Sequence, residues 1–159
     1  MHLSIIAAIG KNNELGKDND LIWKFKEDMR FFKNMTIGNK VIMGRKTFES
    51  LPKLLTDRKH IVLTKSNITF PKEVEVFNST EDFLEKYQNT EEKIFNIGGA
   101  SIYKELLDYA DELYLTEIDD SKEADVYFPD FDKEKYTRKE LCYHKENDTN
   151  FKHVLYKRR

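Results

Sequence analysis

Short apolar segments rich in β-branched residues recur along this chain, and stretches with helical periodicity separate most of them. The first segment, Leu3 to Ile9, is apolar at almost every position, which is typical of a central strand buried on both faces of a sheet. Similar candidate strands follow at residues 40–43, 60–64, 74–77, 93–97 and 112–118. Strands that alternate with helices predict a mostly parallel sheet.

The last third of the chain changes character. The segments 135–146 and 151–157 read as two long strands with no helix between them, joined by the polar turn from Asn147 to Asn150. We therefore predict one α/β domain over residues 1–159. Its central mixed, mostly parallel sheet would have about eight strands, an antiparallel C-terminal hairpin and helices on both faces.

Composition excludes several classes of protein. With 159 residues, 39% of them hydrophobic, the chain is long enough to bury a core, and a net charge of −2 argues against a dedicated nucleic-acid binder. The single cysteine, Cys142, excludes an internal disulfide framework, and we interpret it as structural. No charged segment precedes the short apolar N-terminus, and no run approaches the ~20 apolar residues of a membrane span. We expect a cytoplasmic protein without a membrane or nucleic-acid partner.

One carboxylate stands where helical periodicity asks for an apolar residue. Phe25, Asp28, Met29 and Phe32 have the spacing of one helix face, in a helix predicted to end near Gly38. A lone acid on an apolar face is costly unless a donor satisfies it. Two interpretations are open: a surface ion pair with Lys24, four residues earlier, or a buried carboxylate at the floor of a ligand pocket.

Three candidate strands end in residues suited to anion binding. These junctions are Gly44-Arg45-Lys46-Thr47, Thr64-Lys65-Ser66 and Gly98-Gly99-Ala100-Ser101. Ligands of open α/β sheets bind beyond the carboxyl ends of the strands, so three such ends together indicate a dinucleotide. Each junction alone is a weak signal, because Gly-Gly is often only a tight turn and Arg45 with Lys46 could be a solvated pair. The Rossmann glycine fingerprint and a Walker lysine are both absent.

Other chemistries find little support in the sequence. The four histidines, His2, His60, His144 and His153, are scattered without metal-ligand spacing, so no metal site is predicted. No serine or cysteine stands in a nucleophile-elbow motif. One buried acid beside a nucleotide site points to redox or group-transfer chemistry with a bound organic cofactor.

Over essentially its whole length the chain resembles the dihydrofolate reductase family. The segments that carry the resemblance are Ile6-Ala7-Ala8, Leu15-Gly16, Leu21-Ile22-Trp23, the helix with Asp28 and Phe32, the run from Val41 to Ser50, Arg58-Lys59, Ile97-Gly98-Gly99, Tyr103, Leu115-Thr116-Glu117-Ile118, Asp125 and Phe128-Pro129. The M-G-R-x-T-x-E-S run and the spaced acid are together highly specific.

The resemblance implies NADPH-dependent reduction of dihydrofolate to tetrahydrofolate for one-carbon and thymidylate metabolism. It implies that Asp28 binds the pterin, that Thr116 supports this carboxylate, that Arg58 binds the glutamate tail, and that Trp23 and Leu21 belong to the catalytic region. The implied substrate-binding residues are Ile6, Ala8, Asp28, Met29, Phe32, Leu51, Leu55, Arg58 and Thr116. A monomer that antifolates inhibit is also implied.

The same resemblance implies an NADPH site without a metal. The implied cofactor-binding residues are Ala8, Leu15, Gly16, Asn19, Leu21, Gly44, Arg45, Lys46, Thr47, Leu63, Thr64, Lys65, Ser66, Ile97, Gly98, Gly99, Ala100, Ser101, Ile102 and Tyr103. It further implies a cis peptide between Gly98 and Gly99. Arg45, Lys65 and Ser66 would bind the 2′-phosphate, and Lys46, Thr47 and the glycine turn the pyrophosphate.

The chain departs from the family pattern at three positions. Ile22 replaces a usual proline before Trp23, which removes a restraint on φ in the loop over the site. Ala100 replaces a common glycine, and Ser101 stands where some relatives have a cation. Two alternative functions remain open: a pyrimidine reductase of riboflavin synthesis with a similar fold, and a non-catalytic nucleotide-binding protein.

Overall fold

Strands and helices alternate along the first three quarters of the chain, and strands dominate the rest. The computed structural model describes all residues from Met1 to Arg159. The strands are β1 (His2–Ile9), β2 (Glu14–Lys17), β3 (Asp20–Leu21), β4 (Lys40–Gly44), β5 (Lys59–Leu63), β6 (Glu75–Phe77), β7 (Lys93–Asn96), β8 (Glu112–Ile118), β9 (Val126–Tyr127), β10 (Tyr136–Glu146) and β11 (Thr149–Arg158). The helices are α1 (Lys26–Thr36), α2 (Arg45–Ser50), α3 (Thr80–Tyr87) and α4 (Ala100–Leu106).

Eight strands form the central sheet, in the order β10-β11-β8-β1-β7-β4-β5-β6. The pairs from β8 to β6 are all parallel, whereas β11 runs antiparallel to both β8 and β10. The predicted mixed, mostly parallel sheet with an antiparallel C-terminal hairpin is therefore confirmed. This order brings the carboxyl ends of β7, β4 and β5 side by side, where open sheets bind ligands.

Side chains alternate between two apolar layers, one on each face of the sheet. Leu3 and Ile5 of β1 belong to the larger cluster, together with Phe83 of α3 and Leu106 of α4. Ile6 belongs to the second cluster, which α1 and α2 cover with Phe31, Phe32 and Phe48. This alternation follows from the period of two in a strand. It places helices on both faces, as predicted.

The polar loop predicted between residues 10 and 20 contains short strands instead. There β2 pairs with β3 and with β9, so the three form a small separate sheet. Strands of two to four residues without apolar alternation leave no periodic signal in the sequence. The loop over the site is thus held by backbone hydrogen bonds to the segment that follows β8.

Three boundary predictions also differ from the structure. Helix α1 ends at Thr36, before the left-handed Gly38 (φ +80°), and the helix predicted to reach Tyr109 finishes as a 3-10 turn over Leu107–Tyr109. The hairpin turn is tighter than predicted, with Asn147 and Asp148 at positive φ. Cys142 lies exposed on β10 beside a bulge, in the strand-like segment expected from the sequence.

The start of α1 is capped by a side chain from another element. Phe25 at the N-cap position offers no polar side chain, and the carboxylate of Glu146 at the end of β10 accepts hydrogen bonds from the backbone N–H groups of Lys26 (2.9 Å) and Glu27 (3.3 Å). An anion is favourable at the positive end of a helix. The C-terminal hairpin therefore fixes where the first turn of α1, and with it Asp28, lies.

None of the helices combines the length and the apolar character needed to cross a membrane.

Candidate active site

Asp28 lies in the first turn of α1 and points onto the central sheet. Its Oδ1 atom accepts a hydrogen bond from Thr116 Oγ1 of β8 at 2.5 Å and lies 3.2 Å from Nε2 of His153 on β11. Oδ2 has no hydrogen-bond partner in the protein, and the side chain is 22% exposed. The carboxylate is therefore anchored at one oxygen and free at the other.

The alternative ion pair between Asp28 and Lys24 is wrong. Lys24 Nζ lies 2.8 Å from the carboxylate of Asp20. Since α1 begins only at Lys26, Lys24 is not in the helix and has no helical i,i+4 relation to Asp28. The support of Asp28 by Thr116, implied by the resemblance, is present in the structure.

Sequence reasoning missed one residue beside Asp28. His153 is buried, and its ring stacks on Phe31 with centroids 3.9 Å apart and an interplanar angle of 12°. The only signal was a histidine within the apolar alternation of the last strand. Placing it next to Asp28 requires the register of β11 on β8, which pairs His153 with Thr116.

The predicted substrate-binding apolar residues lie mainly on one face of the sheet. Ile6 is buried, and Phe32, Leu51 and Leu55 pack against its cluster. Ala8 packs instead against the small cluster of Trp23 and Phe25. Met29 and Leu21 are 62% and 60% exposed, so these two apolar side chains are open to a ligand.

Arg58 is held so that part of its guanidinium stays free. Its Nε donates to the carbonyl oxygen of Thr56 at 3.0 Å, and Nη1 donates to Thr36 Oγ1 at 3.1 Å. Burial lowers the pKa of the Arg58 guanidinium, and the nearby Asp57 opposes this change. No carboxylate forms an ion pair with Arg58, so Nη2 can bind an incoming one.

The two predicted phosphate junctions after β4 and β7 touch each other. The backbone N–H of Gly44 donates to the carbonyl of Gly98 at 2.9 Å, and a Cβ atom on Gly99 would lie 3.7 Å from Thr47 Oγ1. Gly44 also pairs with Leu63, so the third junction, after β5, adjoins them. The Gly98–Gly99 peptide is cis, as the resemblance implied.

Gly98 has no room for a side chain. Its φ is +96°, and a Cβ atom would come within 2.7 Å of the ring of Tyr103. The Tyr103 hydroxyl donates to the carbonyl of Ile6 at 2.8 Å, and burial together with the charge of Asp28 raises the pKa of this phenol. Tyr103 therefore connects the glycine turn to the strand that carries Ile6 and Ala8.

The polar residues of the three junctions remain accessible. Lys46, Lys65 and Ser101 are exposed, and Arg45 forms an ion pair with Glu49 at 2.8 Å. Gly44, Thr47, Thr64, Ser66, Ile97, Gly99 and Ala100 are half-buried. Leu63, Ile102 and Tyr103 belong to the core, so only a small part of each side chain is accessible for contact with a cofactor.

The loop from Leu15 to Trp23 is tied to the segment after β8 at several points. The indole N–H of Trp23 donates to Asp120 at 3.0 Å, which lowers the pKa of that carboxyl. Asp125 accepts from the N–H of Asp18, and its own N–H donates to the carbonyl of Gly16. Leu15 packs on the main core, Asn19 is exposed at the loop tip with φ +62°, and Ile22 packs beside Trp23.

A buried carboxylate adds to this attachment. Glu14 is 1% exposed and accepts hydrogen bonds from Ser121 Oγ and from the N–H groups of Lys122 and Asn12. Burial alone would raise the pKa of Glu14, but these hydrogen bonds outweigh it and lower the pKa. The loop position in the structure is thus maintained by charged hydrogen bonds rather than by apolar packing alone.

One wide cleft lies elsewhere. It has a volume of about 940 Å³ and runs along the C-terminal hairpin, and none of the predicted site residues lines it. Three of the five lysines and arginines that line it, Lys11, Arg138 and Lys152, are already paired with carboxylates. A wide cleft alone therefore does not identify an active site, and the candidate site residues are Asp28, Arg58 and those at the three strand ends.

Comparisons with known proteins agree on one family. The family model described as dihydrofolate reductase matches residues 2–158. The chain is 44% identical to the dihydrofolate reductase of Bacillus subtilis over 130 residues, covering 82% of this chain and 77% of the relative. It is 39% identical over 150 residues to dihydrofolate reductase type 3 of Salmonella typhimurium, covering 94% and 92%.

A solved structure shows the same architecture. It is dihydrofolate reductase from Enterococcus faecalis complexed with NADP(H) and RAB-propyl, 30% identical in sequence. The TM-score is 0.87, and the match covers 99% of this chain and 96% of that one.

Proposed function

The chain belongs to the dihydrofolate reductase family and reduces dihydrofolate to tetrahydrofolate with NADPH, and we propose that Asp28 binds and activates the pterin in this reaction. The observation that carries the assignment is the state of the carboxylate, with Oδ1 anchored by Thr116 and Oδ2 without a protein partner. The relatives described above are all dihydrofolate reductases, which disfavours the pyrimidine reductase and the non-catalytic alternative.

The pterin edge matches what Asp28 offers. Its 2-amino group and the N3 side supply N–H donors, and an ionised carboxylate is a strong acceptor for such groups. A negative charge held at this edge raises the basicity of the ring, so that N5 takes a proton through water. The bound NADPH supplies the hydride, which is transferred to C6. The protein contributes by holding the pterin ring and the negative charge of Asp28 in fixed positions relative to each other.

The remainder of the substrate extends along the second apolar cluster. Phe32, Leu51 and Leu55 contact the p-aminobenzoyl group, and Ile6, Ala8 and Met29 contact the pterin. Arg58 binds the α-carboxylate of the glutamate tail, since its Nη2 has no protein partner and a guanidinium suits a carboxylate. Ile6, Phe32, Leu51 and Leu55 belong to or pack against one apolar cluster, and Ala8 packs beside Trp23 and Phe25.

The residues at the three strand ends fit a phosphorylated dinucleotide. Lys46 and Lys65 are exposed cations without acidic partners, and the side-chain-free surface of the glycine turn permits close approach of a phosphate. Arg45, Lys65 and Ser66 hold the 2′-phosphate, and Lys46, Thr47 and the turn from Gly98 to Ser101 hold the pyrophosphate. Leu15, Gly16, Asn19 and Leu21 cover the nicotinamide, with Trp23 anchoring the loop through Asp120.

Substituting Asp28 tests the assignment. Asp28→Asn keeps the size and the hydrogen bond from Thr116 but removes the charge. We expect turnover near neutral pH to fall by at least about 100-fold, because the charge stabilises the protonated ring, while NADPH binding measured by fluorescence stays unchanged. The assay is the decrease of nicotinamide absorbance with dihydrofolate, against a no-enzyme control. Unchanged turnover would show that another group activates the pterin.

We also propose that the protein is a cytoplasmic monomer that folate analogues inhibit. The free, exposed thiol of Cys142 is compatible with a reducing compartment. A pterin analogue would bind to Oδ2 of Asp28, as we propose for the substrate. Sedimentation equilibrium measures the mass of the particle, and a dimer would contradict the first part of this proposal.

A further inference from the structure

His153 is a buried polar residue with a single polar contact. Its side chain is 3% exposed, and Nε2 lies 3.2 Å from Oδ1 of Asp28. Oδ1 also accepts from Thr116, so both protein donors are directed at the same carboxylate oxygen. A lone pair on Nε2 would face the negative oxygen and be repelled, so the hydrogen at Nε2 points toward Asp28.

Both donors come from neighbouring strands in direct register. Ala8 of β1 pairs with Thr116 of β8, and Thr116 pairs with His153 of β11. The three side chains therefore form a row across the sheet beneath α1. Donors mounted on adjacent strands of a central sheet are held more firmly than donors on a loop.

Aromatic packing fixes the ring of His153. Phe31 of α1 stacks on one face of it at 3.9 Å, and Phe151 and His144 approach it with centroids at 6.0 Å and 5.2 Å. The titratable groups that face the ring are Asp28 from α1 and His144 from β10. The imidazole is thus confined, with its Nε2 directed at Asp28.

We propose that His153 is a positioning residue for the reductase reaction. With Thr116 it holds Oδ1, so that the carboxylate is oriented before the substrate arrives and Oδ2 faces the pterin. Because the carboxylate is already oriented, binding of the substrate does not have to restrict the side chain of Asp28 further, and less free energy is lost on binding. The inference rests on the assignment of Asp28 to the pterin proposed above.

Two substitutions separate the hydrogen bond from the packing. His153→Phe keeps a buried aromatic ring against Phe31 but removes the donor, whereas His153→Gln keeps a donor near the position of Nε2 but removes the ring. We expect kcat/KM for dihydrofolate to fall about tenfold in His153→Phe, the size expected for a lost hydrogen bond to a charged group. His153→Gln should stay within about threefold of the unsubstituted enzyme, and KM for NADPH should not change in either variant.

If His153 only packed against its neighbours, His153→Gln would lose more activity than His153→Phe. Activity retained by His153→Phe, or an equal loss in both variants, would overturn the proposal. His144→Phe is the matched control, since this neighbouring histidine does not contact Asp28. His153→Leu, also without a donor, repeats the measurement if His153→Phe does not fold.

The same experiments keep the two assignments distinguishable. If Asp28→Asn is inactive while His153→Phe is fully active, the role of His153 is wrong and that of Asp28 stands. If Asp28→Asn is fully active, the assignment of Asp28 itself fails.

Discussion

Asp28 has one oxygen engaged by Thr116 and close to His153, and the other without a protein partner. Removing a charge even partly from water is costly unless hydrogen bonds compensate it, and donors on two strands supply this compensation. The carboxylate is thus held in one orientation, which is the orientation that the proposed contact with the pterin requires. Arg58 shows the same arrangement, with Thr36 and Thr56 holding part of the guanidinium and Nη2 left for a ligand.

At the cofactor, Arg45 is the residue whose charge should discriminate NADPH from NADH. In the structure it pairs with Glu49 on an exposed helix surface, where such a pair contributes little. Arg45→Ala should lower the ratio of kcat/KM for NADPH over NADH by about tenfold, since a charge-assisted hydrogen bond to the 2′-phosphate is lost. Steady-state kinetics with both coenzymes measures this ratio.

Arg30→Ala is the matched control for that experiment. Arg30 also forms an exposed helical ion pair, with Glu27, but lies on α1 away from the strand ends. A ratio that Arg45→Ala leaves unaltered would remove Arg45 from the 2′-phosphate site.

Among the elements, α1 depends on the C-terminal hairpin for its first turn. The carboxylate of Glu146 accepts hydrogen bonds from the backbone N–H groups of Lys26 and Glu27. In many helices the side chain of the N-cap residue accepts these hydrogen bonds instead. Residues more than a hundred positions apart therefore position Asp28 together.

Removing this cap should destabilise the protein. We expect Glu146→Ala to lower the free energy of unfolding by about 1 kcal/mol, as for other helix caps. Urea denaturation measures the change. Glu91→Ala serves as control, because Glu91 is exposed and makes no side-chain hydrogen bond, and an equal effect of both substitutions would argue against the cap.

The segment between α2 and β5 depends on a neutral histidine. His60 is buried, and its Nε2 accepts a hydrogen bond from the N–H of Leu55 at 3.0 Å. Burial, and then the charge of Arg58, lower the pKa of His60 below its ordinary value of 6.5. Since the folded state prefers neutral His60, its contribution to stability is fully present above pH 6.5 and is lost as the pH falls toward the lowered pKa.

This linkage can be measured by urea denaturation between pH 7.5 and pH 5. The free energy of unfolding should fall less steeply below about pH 6.5 in His60→Gln than in the unsubstituted protein, because glutamine does not titrate. His2→Gln, at an exposed histidine, should keep the original slope. Identical slopes for all three proteins would contradict the role of His60.

For the whole molecule, local patterns predicted the sheet, and long-range register produced the site. The apolar runs at β1 and β4 were sufficient to predict strands, because burial on both faces leaves a continuous signal. The position of His153 opposite Thr116 could not be predicted, since it depends on which strands become neighbours. The short strands β2 and β3 were missed because they are held by hydrogen bonds without a periodic apolar pattern.

The resemblance to a family supplied what periodicity could not. Periodicity alone could not decide whether Asp28 forms a surface ion pair or lies in a ligand pocket. Only the resemblance implied its contact with Thr116 and the cis peptide between Gly98 and Gly99. The consequence of Ile22 was not predictable either: in place of proline it packs beside Trp23, whose indole is tied to Asp120.

The central claim is that Asp28 binds the pterin through Oδ2 while the sheet retains Oδ1. A crystal structure of the complex with NADP⁺ and folate tests it most directly. We expect Oδ2 within about 3 Å of the 2-amino group or N3 of the pterin, the usual length of such a hydrogen bond, with Thr116 and His153 still directed at Oδ1. A pterin bound away from Asp28, or a carboxylate turned away from Thr116, would contradict the account.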